Sequence, residues 1–86
     1  MNRNISKEQV IAIIEGTFKP FECCAELEDY ENRVGFRVFD EKGQSIFNSP
    51  SIPIQKAQDI KKLNKILSEI RSELEAQGYE LESWSL

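Results

Sequence analysis

The sequence of 86 residues has no histidine, and it therefore lacks the usual general base of hydrolases and the commonest nitrogen ligand of metal ions. Cysteine is scarce too: Cys23 and Cys24 are the only two, and because they are adjacent, a disulfide between them would depart from ordinary bridge geometry. Most hydrolase sites and a disulfide framework are excluded. We predict that the protein is not an enzyme and uses no cofactor and no metal ion.

Long apolar runs are also absent. No run approaches the roughly 20 residues that cross a bilayer, and the start of the chain is polar rather than typical of a signal peptide. We therefore expect a cytoplasmic protein with no membrane partner. Hydrophobic residues make up 40% of the chain, which is enough for one folded core, so we predict a single domain over residues 1–86.

The first predicted element is a short helix. Ser6 followed by Gln9 has the spacing of a capping box, and apolar residues at helical spacing follow it. Gly16 is well placed to end this helix, and Pro20 prevents it from resuming. The sequence therefore predicts a helix of about ten residues that begins at Ser6.

Apolar residues then alternate with polar ones, which is typical of half-buried strands. The odd positions of 21–27 and the even positions of 34–38 are predicted to point inward, and a hairpin loop over 29–32 places these inward residues opposite one another. A third strand is expected over 44–48, and Pro50 should make the chain irregular after it.

A long second helix is predicted over residues 55–77, with Gly78 as its cap. Its charges oppose the helix dipole, since lysines occupy the first half and glutamates the second, so tertiary burial must hold it in place. The predicted fold is α+β: helix, three-stranded antiparallel meander and long helix, in a two-layer sandwich. Both helices lie on one face of the sheet, and the other face is uncovered.

Apolar side chains on that uncovered face predict a contact surface. Continuing the second hairpin register places Phe47 near Arg37 and diagonal to Phe39, with Cys24 beside them. We therefore predict an interaction or regulatory module that binds a protein partner or forms a homodimer. The alternative is that the tail over 79–86 folds back over these residues. The exposed third strand offers a second route, by strand pairing between molecules.

Two other functions remain open. Helix, three strands and helix is also the order of the double-stranded RNA-binding domain, in which lysines at the start of the last helix contact phosphates. The corresponding candidates are Lys56, Lys61, Lys62 and Lys65, although the net charge of -4 does not favour nucleic acid. The second alternative is an inhibitor of a basic protein that uses an acidic surface. Its candidate residues are Glu22, Glu26, Glu28, Asp29 and Glu31.

The sequence also resembles a bacterial family of short soluble proteins classed as a domain of unknown function. The residues that carry this resemblance are Ile13, Ile14, Glu15, Phe18, Pro20, Cys23, Arg37, Asp40, Gly43 and the segment 70–75. The family's usual aspartate-glycine turn between the first strands is replaced here by Glu31 and Asn32. The resemblance implies a helix and meander architecture and no catalytic residues.

Overall fold

A computed structural model describes residues 4–84 of the chain. The first residues of the predicted polar start and the last two residues of the predicted tail lie outside the described part. The elements in chain order are α1 (Lys7–Thr17), β1 (Glu22–Glu28), β2 (Arg33–Phe39), β3 (Ser45–Asn48), β4 (Ile52–Pro53), α2 (Ile54–Ala57) and α3 (Ile60–Ala76). The predicted α+β class and the order of helix, meander and long helix are confirmed.

The capping box predicted for α1 is present. The Ser6 hydroxyl accepts a hydrogen bond from the Gln9 N–H, and the Gln9 side chain accepts one from the Ser6 N–H. The prediction that Gly16 ends the helix is wrong, because the helix continues to Thr17 and Gly16 lies inside its last turn. The buried Thr17 hydroxyl donates to the Ile13 carbonyl, so this polar group can sit at the core.

The first hairpin has the register that the sequence predicts. Leu27 lies opposite Val34 and Cys23 lies opposite Val38, and the loop between β1 and β2 is residues 29–32. Alternating apolar residues on both strands fix this register, since a slip by one residue would turn the apolar side chains of both strands to the wrong face. The loop closes with a hydrogen bond from Asn32 N–H to the Asp29 carbonyl.

The second hairpin departs from the predicted register. Phe39 lies opposite Ser45, as a regular continuation from the turn requires, but Val38 lies opposite Phe47. Ile46 is therefore an extra residue, a β-bulge that shifts all later pairing by one position. The predicted outward orientation of Phe47 is wrong, because a one-residue shift moves a side chain to the opposite face.

The irregular stretch predicted after the third strand is present and short. Ser49 still bonds to β2, since its N–H donates to the Phe36 carbonyl and its hydroxyl accepts from the Phe36 N–H. Pairing then resumes at β4, where Ile52 lies opposite Val34. Because β1 occupies one side of β2, β3 and β4 lie end to end along its other side.

The predicted long helix is two helices, and its predicted start at Gln55 is wrong. A short turn of helix, α2, comes first, and Asp59 then caps α3 by accepting from the N–H groups of Lys61 and Lys62. The predicted cap at Gly78 is confirmed. Its φ is 101°, and the N–H of Tyr79 donates to the Leu74 carbonyl, as the Schellman motif requires.

The core lies between the inward sheet face and the helices. Its fully buried members include Val10, Ile14, Val34, Val38 and Leu67, which come from both layers. The described part of the tail after Gly78 packs beside this core, and the Glu82 N–H donates a hydrogen bond to the Lys19 carbonyl just before β1. Among the described residues, no helix is both long enough and apolar enough to span a membrane.

Candidate functional site

Three of the four predicted contact residues lie together on the outer sheet face. Cys24 lies directly opposite Arg37 on the neighbouring strand, and Phe39 follows two positions later on the same face. These side chains border a shallow groove of about 430 Å³ whose floor includes Gly35. Cys24 and Arg37 are exposed and Phe39 is half-buried.

Phe47, the fourth predicted residue, lies on the core side of the sheet. Its ring centroid is 5.9 Å from that of the buried Phe36. The predicted apolar patch of the outer face is therefore reduced to Phe39 and Cys24. One feature of the sequence could have indicated the bulge at Ile46: Ile46 and Phe47 are both apolar, although a regular half-buried strand alternates apolar and polar residues.

The described part of the tail does not cover the outer face. Tyr79 packs edge-on against Phe21, with centroids 5.6 Å apart, and the Trp84 ring lies 5.4 Å from the Arg71 guanidinium. Arg71 also donates to the carbonyls of Thr17 and Glu82. These contacts hold the tail against the end of α1 and the flank of α3.

Polar groups occupy one end of the outer face. The Ser51 hydroxyl donates to a Glu28 carboxylate oxygen at 3.1 Å and accepts from the Arg33 Nε at 2.9 Å. The Glu28 carboxylate lies over Gly35, where an added Cβ would be 3.1 Å from its oxygen. Glu28 and Arg33 lie opposite each other in the ladder, and Ser51 links their side chains. Much of this face is therefore polar and internally bonded.

A second groove, which sequence reasoning missed, lies between the open side of the sheet and α3. We call it the β3–α3 groove, and its volume is about 470 Å³. Its apolar lining comes from both layers, and Lys56, Glu69 and Glu73 stand beside it. The apolar lining residues are Phe47, Pro50, Ile52, Pro53, Ile66 and Ile70. The sequence feature that could have indicated this groove is Ile66, which makes the apolar stripe of the helix wider than the core requires.

The backbone of β3 is open at this groove. Phe47 lies opposite Val38 and Ser49 donates to Phe36, so both turn their backbone groups toward β2. Successive residues of a strand alternate, and Asn48 between them therefore presents its N–H and C=O to the other side. Within residues 4–84, no strand pairs with that side of β3.

The opposite edge of the sheet is occupied. Helix α1 packs along β1, and the Ala25 N–H, which points away from β2, donates to a Glu15 carboxylate oxygen at 3.2 Å. A partner strand would have to displace this bond. The two edges of the described sheet therefore differ: α1 packs along β1 and Glu15 binds its Ala25 N–H, whereas no helix or strand pairs with the outer side of β3 beside the β3–α3 groove.

The charged candidate surfaces are exposed. Lys56 lies on α2, and Lys61, Lys62 and Lys65 lie on α3. The acidic candidates divide between the outer face of β1, with Glu22, Glu26 and Glu28, and the hairpin loop, with Asp29 and Glu31. In the described part of the chain, the one ion pair within 4.0 Å is Lys7 with Glu31, at 3.3 Å.

The two cysteines differ in burial. Cys23 is buried in the core, and burial, with a smaller contribution from the Glu15 charge, raises its pKa to about 12. Its thiol stays protonated and is a poor nucleophile. Cys24 is exposed on the outer sheet face, where the sequence predicts it. Among residues 4–84, no three potential metal-ligating side chains come together.

The fold and its surfaces define a small α+β domain with one open sheet edge beside an apolar groove. No family model, curated protein or solved structure matches this chain. The resemblance to the family of unknown function therefore stays a prediction.

Proposed function

We propose that this protein is a non-enzymatic cytoplasmic interaction module that self-associates, and that its contact surface is the β3–α3 groove. The observation that carries the proposal is the apolar groove beside an unpaired strand edge. Phe47, predicted from the sequence to bind a partner, keeps that role here but on a different surface. Two free thiols are in keeping with a reducing compartment.

The occupant we propose is a second copy of the chain. An isologous contact requires a surface that is complementary to itself. A strand edge meets this condition, because two copies of β3 related by a two-fold axis run antiparallel and can exchange backbone hydrogen bonds through Asn48. The half-buried side chains of Phe47 and Ile66 lose their remaining exposure to water in the same contact.

The test is sedimentation of the wild-type chain and three variants from about 1 µM to about 1 mM, a range that includes weak interfaces. We expect a dimer for the wild type. Ile66→Glu should weaken it at least about a hundredfold, because a carboxylate would be buried unpaired in the contact.

Two variants serve as controls. Ile11→Glu changes another half-buried helical isoleucine, away from the groove, and should leave the dimer intact. Phe39→Glu places the same charge on the outer face and should also leave it intact. A wild type that is monomeric throughout would refute self-association, and a dimer lost only with Phe39→Glu would place the contact on the outer face.

Nucleic-acid binding is the competing proposal, and the exposure of all four candidate lysines favours it. Glu69 and Glu73 lie on the same helix as three of them and reduce the positive potential there. Retention on a polyanion column at low salt, lost on changing Lys61 and Lys65 to glutamine, would favour this function. The absence of retention would eliminate it.

A further inference from the structure

The charge distribution of α3 carries an inference about how the second copy is oriented. Its exposed lysines lie in the first half and its exposed glutamates in the second, which is the reverse of what the helix dipole favours. Burial of its apolar face holds the helix in the monomer. Within the single chain, the reversed order therefore opposes the helix dipole.

These charges share one flank of the helix. Lys62, Ile66, Glu69 and Glu73 follow one another at intervals of four, three and four residues, which places them along a single stripe. Ile66, Glu69 and Glu73 line the β3–α3 groove, so the stripe faces the open side of the sheet. Phe47 lines the same groove, which puts the middle of this stripe level with the edge strand.

We infer that the stripe pairs antiparallel with the same stripe of a second copy, an inference that rests on the self-association proposed above. A two-fold axis at the middle of the stripe brings Lys62 of each copy opposite Glu73 of the other. The same axis brings Lys65 close to Glu69. In this register Ile66 of each copy lies opposite Glu69 of the other, and the two Ile66 side chains flank the axis between the charged pairs.

Complementary charge gives this arrangement its specificity. An antiparallel pair joins unlike charges at both ends of the stripe, whereas a parallel pair would place lysine against lysine and glutamate against glutamate. The resulting assembly has one continuous sheet, with β3 paired to β3 at its centre and the two α3 helices side by side beneath it. Both outer ends of that sheet are β1 edges, which Glu15 and α1 protect, so the assembly closes as a dimer.

Charge reversal with rescue tests the inference. Lys62→Glu creates two like-charge contacts in the dimer and should weaken dimerisation by about tenfold or more at low salt. Lys62→Glu combined with Glu73→Lys should restore it to within about threefold of the wild type, since the pairs are re-formed with exchanged signs. Lys61→Glu is the matched control, because it makes the same change of charge one residue away and off the stripe, and it should have little effect.

These experiments distinguish self-association through the groove from the antiparallel pairing of the two α3 helices. A wild type that remains monomeric refutes the proposed function and the inference together. A dimer that Ile66→Glu disrupts, but that responds equally to Lys61→Glu and Lys62→Glu, leaves the groove contact standing and refutes the helix pairing. A Lys62→Glu defect that Glu73→Lys does not repair also refutes it. Lys61, Lys62 and Glu73 are exposed and Ile66 is half-buried, so each variant should first be shown by circular dichroism to have the wild-type helix content.

Discussion

At the scale of the residue, Cys23 and Cys24 show how strand alternation gives neighbours opposite chemistry. They differ by one position, so one side chain points into the core and the other to water. The sequence predicts this difference from side-chain parity alone. It cannot give the size of the effect on the Cys23 pKa, which depends on how closely the helices cover the sheet.

Thiol labelling tests this pair. In the folded protein, an alkylating reagent should modify Cys24 within minutes and leave Cys23 unmodified, because the buried thiol is both protonated and inaccessible. Mass spectrometry should show one adduct in buffer and two in denaturant. The variant Cys24→Ser should show none in buffer. Rapid double labelling of the native chain would contradict the burial of Cys23.

The same thiol should make stability depend on alkaline pH. Its pKa is raised from 9.0 to about 12 on folding, so the unfolded chain loses the proton first as the pH rises. Titration of the Cys23 thiol therefore leaves the free energy of unfolding unchanged below pH 9 and lowers it between pH 9 and about 12. Cys23→Ala should flatten that part of the profile measured by urea unfolding.

At the scale of the element, the two hairpins show what the sequence can and cannot specify. Both strands of the first hairpin alternate, so only one register buries every apolar residue and the prediction is correct. The second hairpin contains the adjacent apolar residues Ile46 and Phe47. Each of two registers turns one of them toward the core, and the sequence alone does not show which register the bulge selects. The predicted site failed at this point, since the orientation of Phe47 depends on that one extra residue.

The β3–α3 groove was beyond prediction for a different reason. It forms where β3, β4 and the flank of α3 meet, and the sequence alone does not place a helix over one edge of a sheet rather than its centre. The split between α2 and α3 could have been predicted from Asp59, which is a good capping residue, but the apolar periodicity continues across it.

A pair of glycines tests the helix boundaries. Gly78 has φ of 101° at the end of α3, whereas Gly16 is helical inside α1, and an added Cβ would meet no atom within 4 Å at either position. Gly78→Ala should lower the free energy of unfolding by about 1 kcal/mol through backbone strain, and Gly16→Ala should raise it by about 0.5–1 kcal/mol. Urea unfolding measures both, and equal effects would contradict the assigned caps.

At the scale of the whole molecule, the two sheet edges differ in what covers them. Helix α1 and the Glu15 carboxylate cover the β1 edge, while the β3 edge is open and has an apolar groove beneath it. A chain with one protected and one open edge can form a closed pair without forming a fibre. The reversed charges of α3 fit this pair, and so does Phe47, which packs against Phe36 in the core and also lines the groove.

The most direct measurement is an isotope-filtered nuclear Overhauser spectrum of a mixture of labelled and unlabelled chains at high concentration. It detects only contacts between copies. A dimer formed through the β3–α3 groove should give cross-peaks from the Ile66 methyl groups and the Phe47 ring of one copy to the same groove of the other. Cross-peaks from Phe39 in their place, or none at any concentration, would contradict it.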